Sequence, residues 1–336
     1  MAELWLQFIL TLDAALRLAA PLILCAMAGI FSEKSGIIDI SLEGKMLMAA
    51  FTAASIAALT GSVWMGLFSA IGMSVLLGLL HGLACITLSG NQVISGLAIN
   101  IFASGFTVTV GYAIFQQGGQ TPQLDSGTRF GPLSAPLVDN IAVIPIVGSF
   151  YKEVISGHNL IVWIALATVV FTFAVLKYSR FGLHIRAVGE KPEALDCAGI
   201  SVGLTRYKAL IIAGILCGLA GAYLSIAHGN GFVREMTAGK GYIALAAMIF
   251  GKWQPKGALI ACLLFGFLEA LGSRLQGVEI PFMGEAPVNL ILAMPYLMTV
   301  ILLAGFVGKA IPPGAIGRPY IDRKSTRLNS SHQIIS

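Results

Sequence analysis

The sequence predicts an all-α, polytopic helical membrane protein of about 8–10 transmembrane helices, short or broken ones included. Of 336 residues, 57% are hydrophobic and 11% charged, with a mean hydropathy of +0.85. A water-soluble fold of this length has no interior large enough for so many apolar side chains. The apolar residues gather in runs close to the ~20 that cross a hydrocarbon layer as a helix. No series of short alternating strands interrupts them, and in lipid a helix pairs its own backbone groups.

The first run, Leu12–Phe31, has no basic segment before it and carries Asp13 and Arg17. It reads as a retained span rather than a cleaved signal. Met46–Leu59, Val63–Leu88, Leu97–Phe115, Leu160–Leu176, Leu210–Ala227, Ala258–Leu271 and Val288–Val307 follow as spans. Tyr242–Phe250 is too brief to cross alone at about 1.5 Å per residue. It reads as a short tilted helix shielded by protein, or as half of a broken one. The pairs Gly78/Gly82 and Gly214/Gly218 have the spacing that lets helices approach closely, within one chain or between two. One membrane domain, residues 1–320, is expected, followed by a polar tail, 321–336. The stretch Arg323–Ser336 lacks periodicity and resembles translated adapter read-through more than native protein. It supplies three of the five excess positive charges, which leaves +2 and argues against a nucleic-acid surface.

Lys and Arg in the short loops orient the chain. Lys177–Lys208 holds six of them and is placed inside; Ser32–Lys45, with Lys34 and Lys45, falls inside too. Gln116–Asn159, with only Arg129 and Lys152, is outside, as is the N-terminus. A crossing by Tyr242–Phe250 would bring Lys252, Lys256, Lys309 and Arg318 inside. The outer loop, with its apolar piece Ile141–Val147, is either a docking surface or a solvated linker.

Cys25, Cys85, Cys217 and Cys262 lie in apolar runs and Cys197 in the basic loop, without a Cys-x-x-Cys pair. No disulfide or metal site is suggested. The five histidines are scattered, and phosphate-loop, metal-helix and nucleophile-turn motifs are missing, so neither catalytic residues nor a cofactor is expected.

Polar residues interrupt the spans at two places. Ser32–Gly44 mixes charges and glycines between the first two runs. It is either a pathway-lining break or a loop in which Ser41 caps the next helix and Glu43 sits in its first turn. Ser89–Gly96 separates the third and fourth runs, with Asn100 one turn inside. Its amides suit either a polar solute or backbone groups freed by the break. Glu269 is the most apolar-embedded acid; it reads as a helix-end acid near Arg274, with a proton relay as the alternative. Glu43-Gly44-Lys45 and Gly239-Lys240-Gly241 are similar Gly-Lys entries into apolar helices, either a repeat or chance pairs in a chain with 39 glycines. In the basic loop, Pro192 suits a first turn, Glu193 favours its positive end and Gly199 is placed to stop it. A helix of about two turns is expected there, short and self-capped enough to pass on a push.

Three stretches together resemble one family: Ser35-Gly36-Ile37-Ile38-Asp39-Ile40-Ser41-Leu42-Glu43-Gly44, Asn91-Gln92-Val93-Ile94-Ser95-Gly96-Leu97-Ala98-Ile99-Asn100, and Arg186-Ala187-Val188-Gly189-Glu190 through Ala198-Gly199-Ile200. Over Leu16 to Gly308 the chain resembles the ABC importer permeases of the branched-chain amino acid, ribose and nucleoside group. The Leu42-Glu43-Gly44 form is similar to the nucleoside and simple-sugar branch, although Asp39 stands where Asn is common. The resemblance implies a prokaryotic plasma-membrane subunit forming half of an alternating-access pathway. It also implies a second permease, identical or sister, two cytoplasmic ATPases that alone hydrolyse ATP, and an extracytoplasmic binding protein. Gly189, Glu190, Pro192, Glu193, Ala194, Ala198 and Gly199 would form the ATPase-coupling loop. Asp39, Ser41, Asn91, Gln92 and Asn100 would face the substrate. A proton-coupled carrier using Glu269 or Asp39 is the competing reading.

Overall fold

The computed structural model describes residues 2–133, 156–275 and 311–320, with 279–280, 284–285, 293 and 297. Ile141–Val147, nearly all of Val288–Val307, Lys152, Lys309 and the tail from 321 lie outside the described residues.

Among the described residues, seven helices are long and apolar enough to cross a membrane. They are α1 (Ala2–Lys34), α2 (Leu42–Thr60), α3 (Val63–Gly82), α4 (Gln92–Phe115), α5 (Leu160–Tyr178), α8 (Val202–Tyr223) and α10 (Pro255–Leu275). Between α5 and α8 stand α6 (Arg180–Glu190) and α7 (Pro192–Cys197). The short apolar run forms α9 (Lys240–Phe250), and two-residue strands, Glu279–Ile280 and Gly284–Glu285, pair antiparallel. A π turn ends both α3 (Leu83–Thr87) and α8 (Leu224–His228).

Burial ranks the helices. The apolar windows of α1, α2 and α8 are each 78% buried and form the centre, whereas that of α4 is 22% buried. Alanines dominate α2, so neighbours can reach its axis on every side. The two small-residue pairs both lie in the contact between α3 and α8, each against larger residues of the other helix. An added Cβ at Gly214 or Gly218 would lie 2.8 Å from Val75 Cα or 2.6 Å from Ile71 Cα, and one at Gly82 would meet the Tyr207 ring at 2.7 Å. Those glycines therefore serve the α3–α8 contact, not a contact between chains.

The Lys177–Lys208 segment departs from the expected loop. Its first half is α6, started by Ser179, whose Oγ accepts from Gly182 N at 2.9 Å. Ile185, Val188 and Gly189 form the buried face of α6, so apolar spacing rather than mean hydropathy carried the helix signal. Arg206, counted with the loop cations, lies inside α8 and is buried. Lys45, counted the same way, is fully buried in α2. The beginning of the outer loop is largely exposed yet tied to the fold: Thr121 N, Leu124 N and Phe130 N donate to Phe232 O, Asn230 O and Ile226 O at 3.1, 2.9 and 2.8 Å.

Candidate functional site

Two places hold the residues singled out in the sequence: the break between α1 and α2, and the α6–α7 projection.

At the break, residues 35–41 are non-helical, and their backbone groups need partners inside a buried environment. Side chains from three other helices supply them. Arg206 Nε donates to Ser35 O at 3.1 Å, and Ile38 N donates to Gln92 Oε1 at 2.7 Å. His81 Nε2 donates to Ile38 O at 3.0 Å, because a carbonyl only accepts, while Nδ1 faces Ser95 Oγ at 3.0 Å. Asn100 spans the break with its whole amide: Gly44 N donates to Oδ1 at 2.8 Å, and Nδ2 donates to Ile40 O at 3.0 Å and to Tyr242 Oη at 2.8 Å.

Within the break, Asp39 is fully buried, with Lys45 Nζ 2.6 Å from Oδ2 and Ser41 Oγ donating to Oδ1 at 2.5 Å. Burial works to raise the Asp39 pKa, but the Lys45 ammonium, with His81 and these hydrogen bonds, holds it below the usual carboxylate range. Ser41 occupies the cap position of α2 without capping it, since its hydroxyl is taken by Asp39. Asn91 is the cap of α4, its Oδ1 accepting from Val93 N and Ile94 N at 2.9 and 3.1 Å.

Glu43 has a partner that sequence spacing does not show. Its Oε1 accepts from Thr237 Oγ1 at 2.6 Å and Gly239 N at 2.9 Å, and its Oε2 from Gly241 N at 2.6 Å. The carboxylate thus caps α9 across the fold, where free N–H groups and the helix dipole favour it. The two Gly-Lys entries consequently sit together, and each lysine has its own acid. Lys45 pairs with Asp39, and Lys240 Nζ lies 2.5 Å from Glu269 Oε1. Arg274, expected beside Glu269, donates instead to Gln7 O at 2.9 Å.

Of the five residues expected on a pathway, Asp39, Ser41 and Gln92 are buried as internal clamps, Asn91 is an exposed cap and Asn100 is part-buried. Asn100 begins a polar strip on the exposed side of α4. One turn on, Ser104 Oγ donates to Glu235 Oε1 at 2.5 Å, and Tyr242, bonded to Asn100, is 43% exposed. Glu235 and Tyr242 escaped notice in the sequence because nothing local marks them; only the fold brings them to α4.

At the projection, α7 is six residues long, a little under two turns, with Pro192 in its first turn, Glu193 beside it and Gly199 at φ +79° after it. Val188, Leu195 and Val202 form a small core that joins α6, α7 and the start of α8 into one body. That body is seated on α1 and on the returning segment 311–320. Ala315 N donates to Gly189 O at 2.8 Å, Gly314 N to Glu190 Oε2 at 3.1 Å and Gly317 N to Gly36 O at 3.0 Å. A Cβ on Gly189 would lie 2.1 Å from Lys34 O, so no larger residue fits this seat. Glu193, Ala194, Cys197 and Ala198 are exposed on the other side.

Residues 11–303 match the family described as branched-chain amino acid transport system / permease component. A guanosine ABC transporter permease protein of Bacillus subtilis is 37% identical over 93% of this chain and 96% of its own length. A nucleoside ABC transporter permease protein of Lactococcus lactis is 35% identical over 91% and 95%. A glucose ABC transporter permease protein of Haloferax volcanii is 27% identical over 77% of this chain and 68% of its own.

Proposed function

The chain belongs to the family of branched-chain amino acid transport system permease components, and from that premise we propose that it is the membrane subunit of an ABC importer for nucleosides or simple sugars. It works with a second permease, two cytoplasmic ATPases and an extracytoplasmic binding protein. The observation that carries the reading is the α6–α7 body: an exposed helix on its own small core, seated rigidly against the end of a central span. A push on α7 reaches α1, α8 and the α1–α2 break through Gly189, Arg206 and the turn at Ser35–Gly36. The residues bearing on the ATPase are Glu193, Ala194 and Ala198, with Gly189, Glu190, Pro192 and Gly199 setting their geometry.

The strip of Asn100, Ser104, Glu235 and Tyr242 supports half of a translocation pathway. Exposed polar groups at membrane depth are costly against lipid, so the strip suits an aqueous route closed by a second permease. The clamps Asp39, Ser41 and Gln92 hold the break that shapes this wall, and Asn91 caps α4 beside it. The proton-carrier reading has less support, because Asp39 and Glu269 each already hold a lysine.

Cys197 tests the docking. It is exposed while the other four cysteines are buried. A maleimide should label one thiol per permease in the intact isolated chain and none in the complex with its ATPases. Equal labelling of both would remove α7 from the contact.

A further inference from the structure

A second feature lies on the side that the Lys and Arg distribution assigns to the cytoplasm. Three membrane helices end there together, and Lys34, Lys177, Arg186 and Lys256 line one cavity of about 290 Å³. Lys34 closes α1, Lys177 is in the last turn of α5, and Lys256 is in the first turn of α10, whose positive dipole end also points here. Arg186 reaches in from α6. Lys177 Nζ and Lys256 Nζ lie 5.3 and 5.0 Å from the centre of the same ring, Phe173. Among the described residues, no carboxylate comes within 4.0 Å of any of the four cations. Glu190 acts on Lys34 only from beyond ion-pair distance, and Glu33 is taken by Trp253, so four gathered cations without a close ion pair call for an anion.

The wall is built rather than incidental. Trp253, which lines the cavity, is 6% exposed and donates from Nε1 to Glu33 Oε2 at 2.6 Å. Lys252 and Trp253 both hold φ at +54°, a conformation that side chains disfavour and that persists only when the surroundings impose it.

The same helix faces continue as apolar surface toward the bilayer centre. Val170, Phe173 and Lys177 share one face of α5, and Lys256 and Ile260 share one face of α10. Val170 and Ile260 are 69% and 68% exposed. Cations at the membrane surface above an open apolar track match an amphiphile, whereas an acidic protein segment would need the charges alone.

We propose that this cavity binds the headgroup phosphate of an anionic phospholipid of the cytoplasmic leaflet, with its acyl chains along Val170 and Ile260. Arg186 suits the phosphate oxygens through its planar fork, and the lysines neutralise the charge.

Native mass spectrometry of the detergent-purified transporter, titrated with dioleoylphosphatidylglycerol, dioleoylphosphatidylcholine or glycerol 3-phosphate, tests this. Retention of phosphatidylglycerol over phosphatidylcholine is expected, weakened roughly tenfold by Lys177→Gln with Lys256→Gln. Both side chains are exposed, so the fold should survive. The control pair Lys191→Gln with Lys208→Gln removes equal charge elsewhere on this side and should change retention less than twofold. Equal retention of both lipids, or equal loss in both pairs, would reduce the effect to diffuse charge and overturn the site. Glycerol 3-phosphate binding as tightly as the lipid would overturn the lipid assignment. Unchanged lipid retention with release of the ATPases would make the occupant a protein segment.

Discussion

Asp39 and Lys45 form a buried ion pair whose separate halves are far more costly than their union. Removing one partner strands a charge where water cannot reach it, and such losses run to about 3–5 kcal/mol. Asp39→Asn and Lys45→Met should each lower the thermal unfolding temperature of the purified protein sharply. The double substitution should cost clearly less than the two added together. Simple additivity would show that the pair is not coupled. Glu43→Gln addresses the neighbouring cap. The amide keeps one acceptor but turns its NH2 toward a backbone donor, Gly239 N or Gly241 N, so a loss of about 1–3 kcal/mol is expected in the same melting measurement. The local sequence exposes part of this design. An acid, a hydroxyl and a base near a helix start announce that the break matters, and Asn and Gln beside the second break announce backbone partners. What it hides is the pairing: Glu43 reads as a residue of its own first turn, because its true partners lie nearly two hundred residues away.

At the scale of elements, glycines distinguish the coupling body's seat from its edge. Gly189→Ala would force a Cβ to 2.1 Å from Lys34 O, which requires α6 to move off α1. Gly199→Ala meets no atom within 4 Å and carries only the strain of φ +79°, about 1–2 kcal/mol. On the proposed function, ATP-driven uptake in proteoliposomes should collapse with Gly189→Ala and persist at a substantial level with Gly199→Ala. Equal effects would mean that the seat does not transmit the push. The sequence announced α7 through Pro192, Glu193 and Gly199, since caps are local signals. It concealed α6, where alternating polar and apolar residues lower the mean hydropathy while the buried face stays continuous. Counting cations also misplaced Lys45 and Arg206, because charge number does not reveal which lysine or arginine has a buried partner.

For the molecule as a whole, the unequal burial of the spans is the main fact. Among the described residues three helices are enclosed, whereas α4 lies open with a polar strip, which on the proposed reading a second permease closes. Energy for uptake on the proposed reading comes from ATP. On that reading Glu269, about one-third exposed and held by Lys240, has no relay duty. Glu269→Gln should therefore retain substantial uptake that uncouplers leave unchanged at fixed ATP; abolished, uncoupler-sensitive uptake would restore the carrier. The strip also constrains the cargo. It presents an amide, two hydroxyls and the acid Glu235, while the nearby lysines, Lys45 and Lys240, are bound to carboxylates at 2.6 and 2.5 Å. A carboxylate-bearing solute would meet the like charge of Glu235, whereas a neutral, hydroxyl-rich solute finds partners along the strip. Uptake of labelled guanosine by the assembled transporter should be competed by other nucleosides or by simple sugars, and little by leucine. Preferential uptake of leucine would overturn the assignment while leaving the docking of α7 intact.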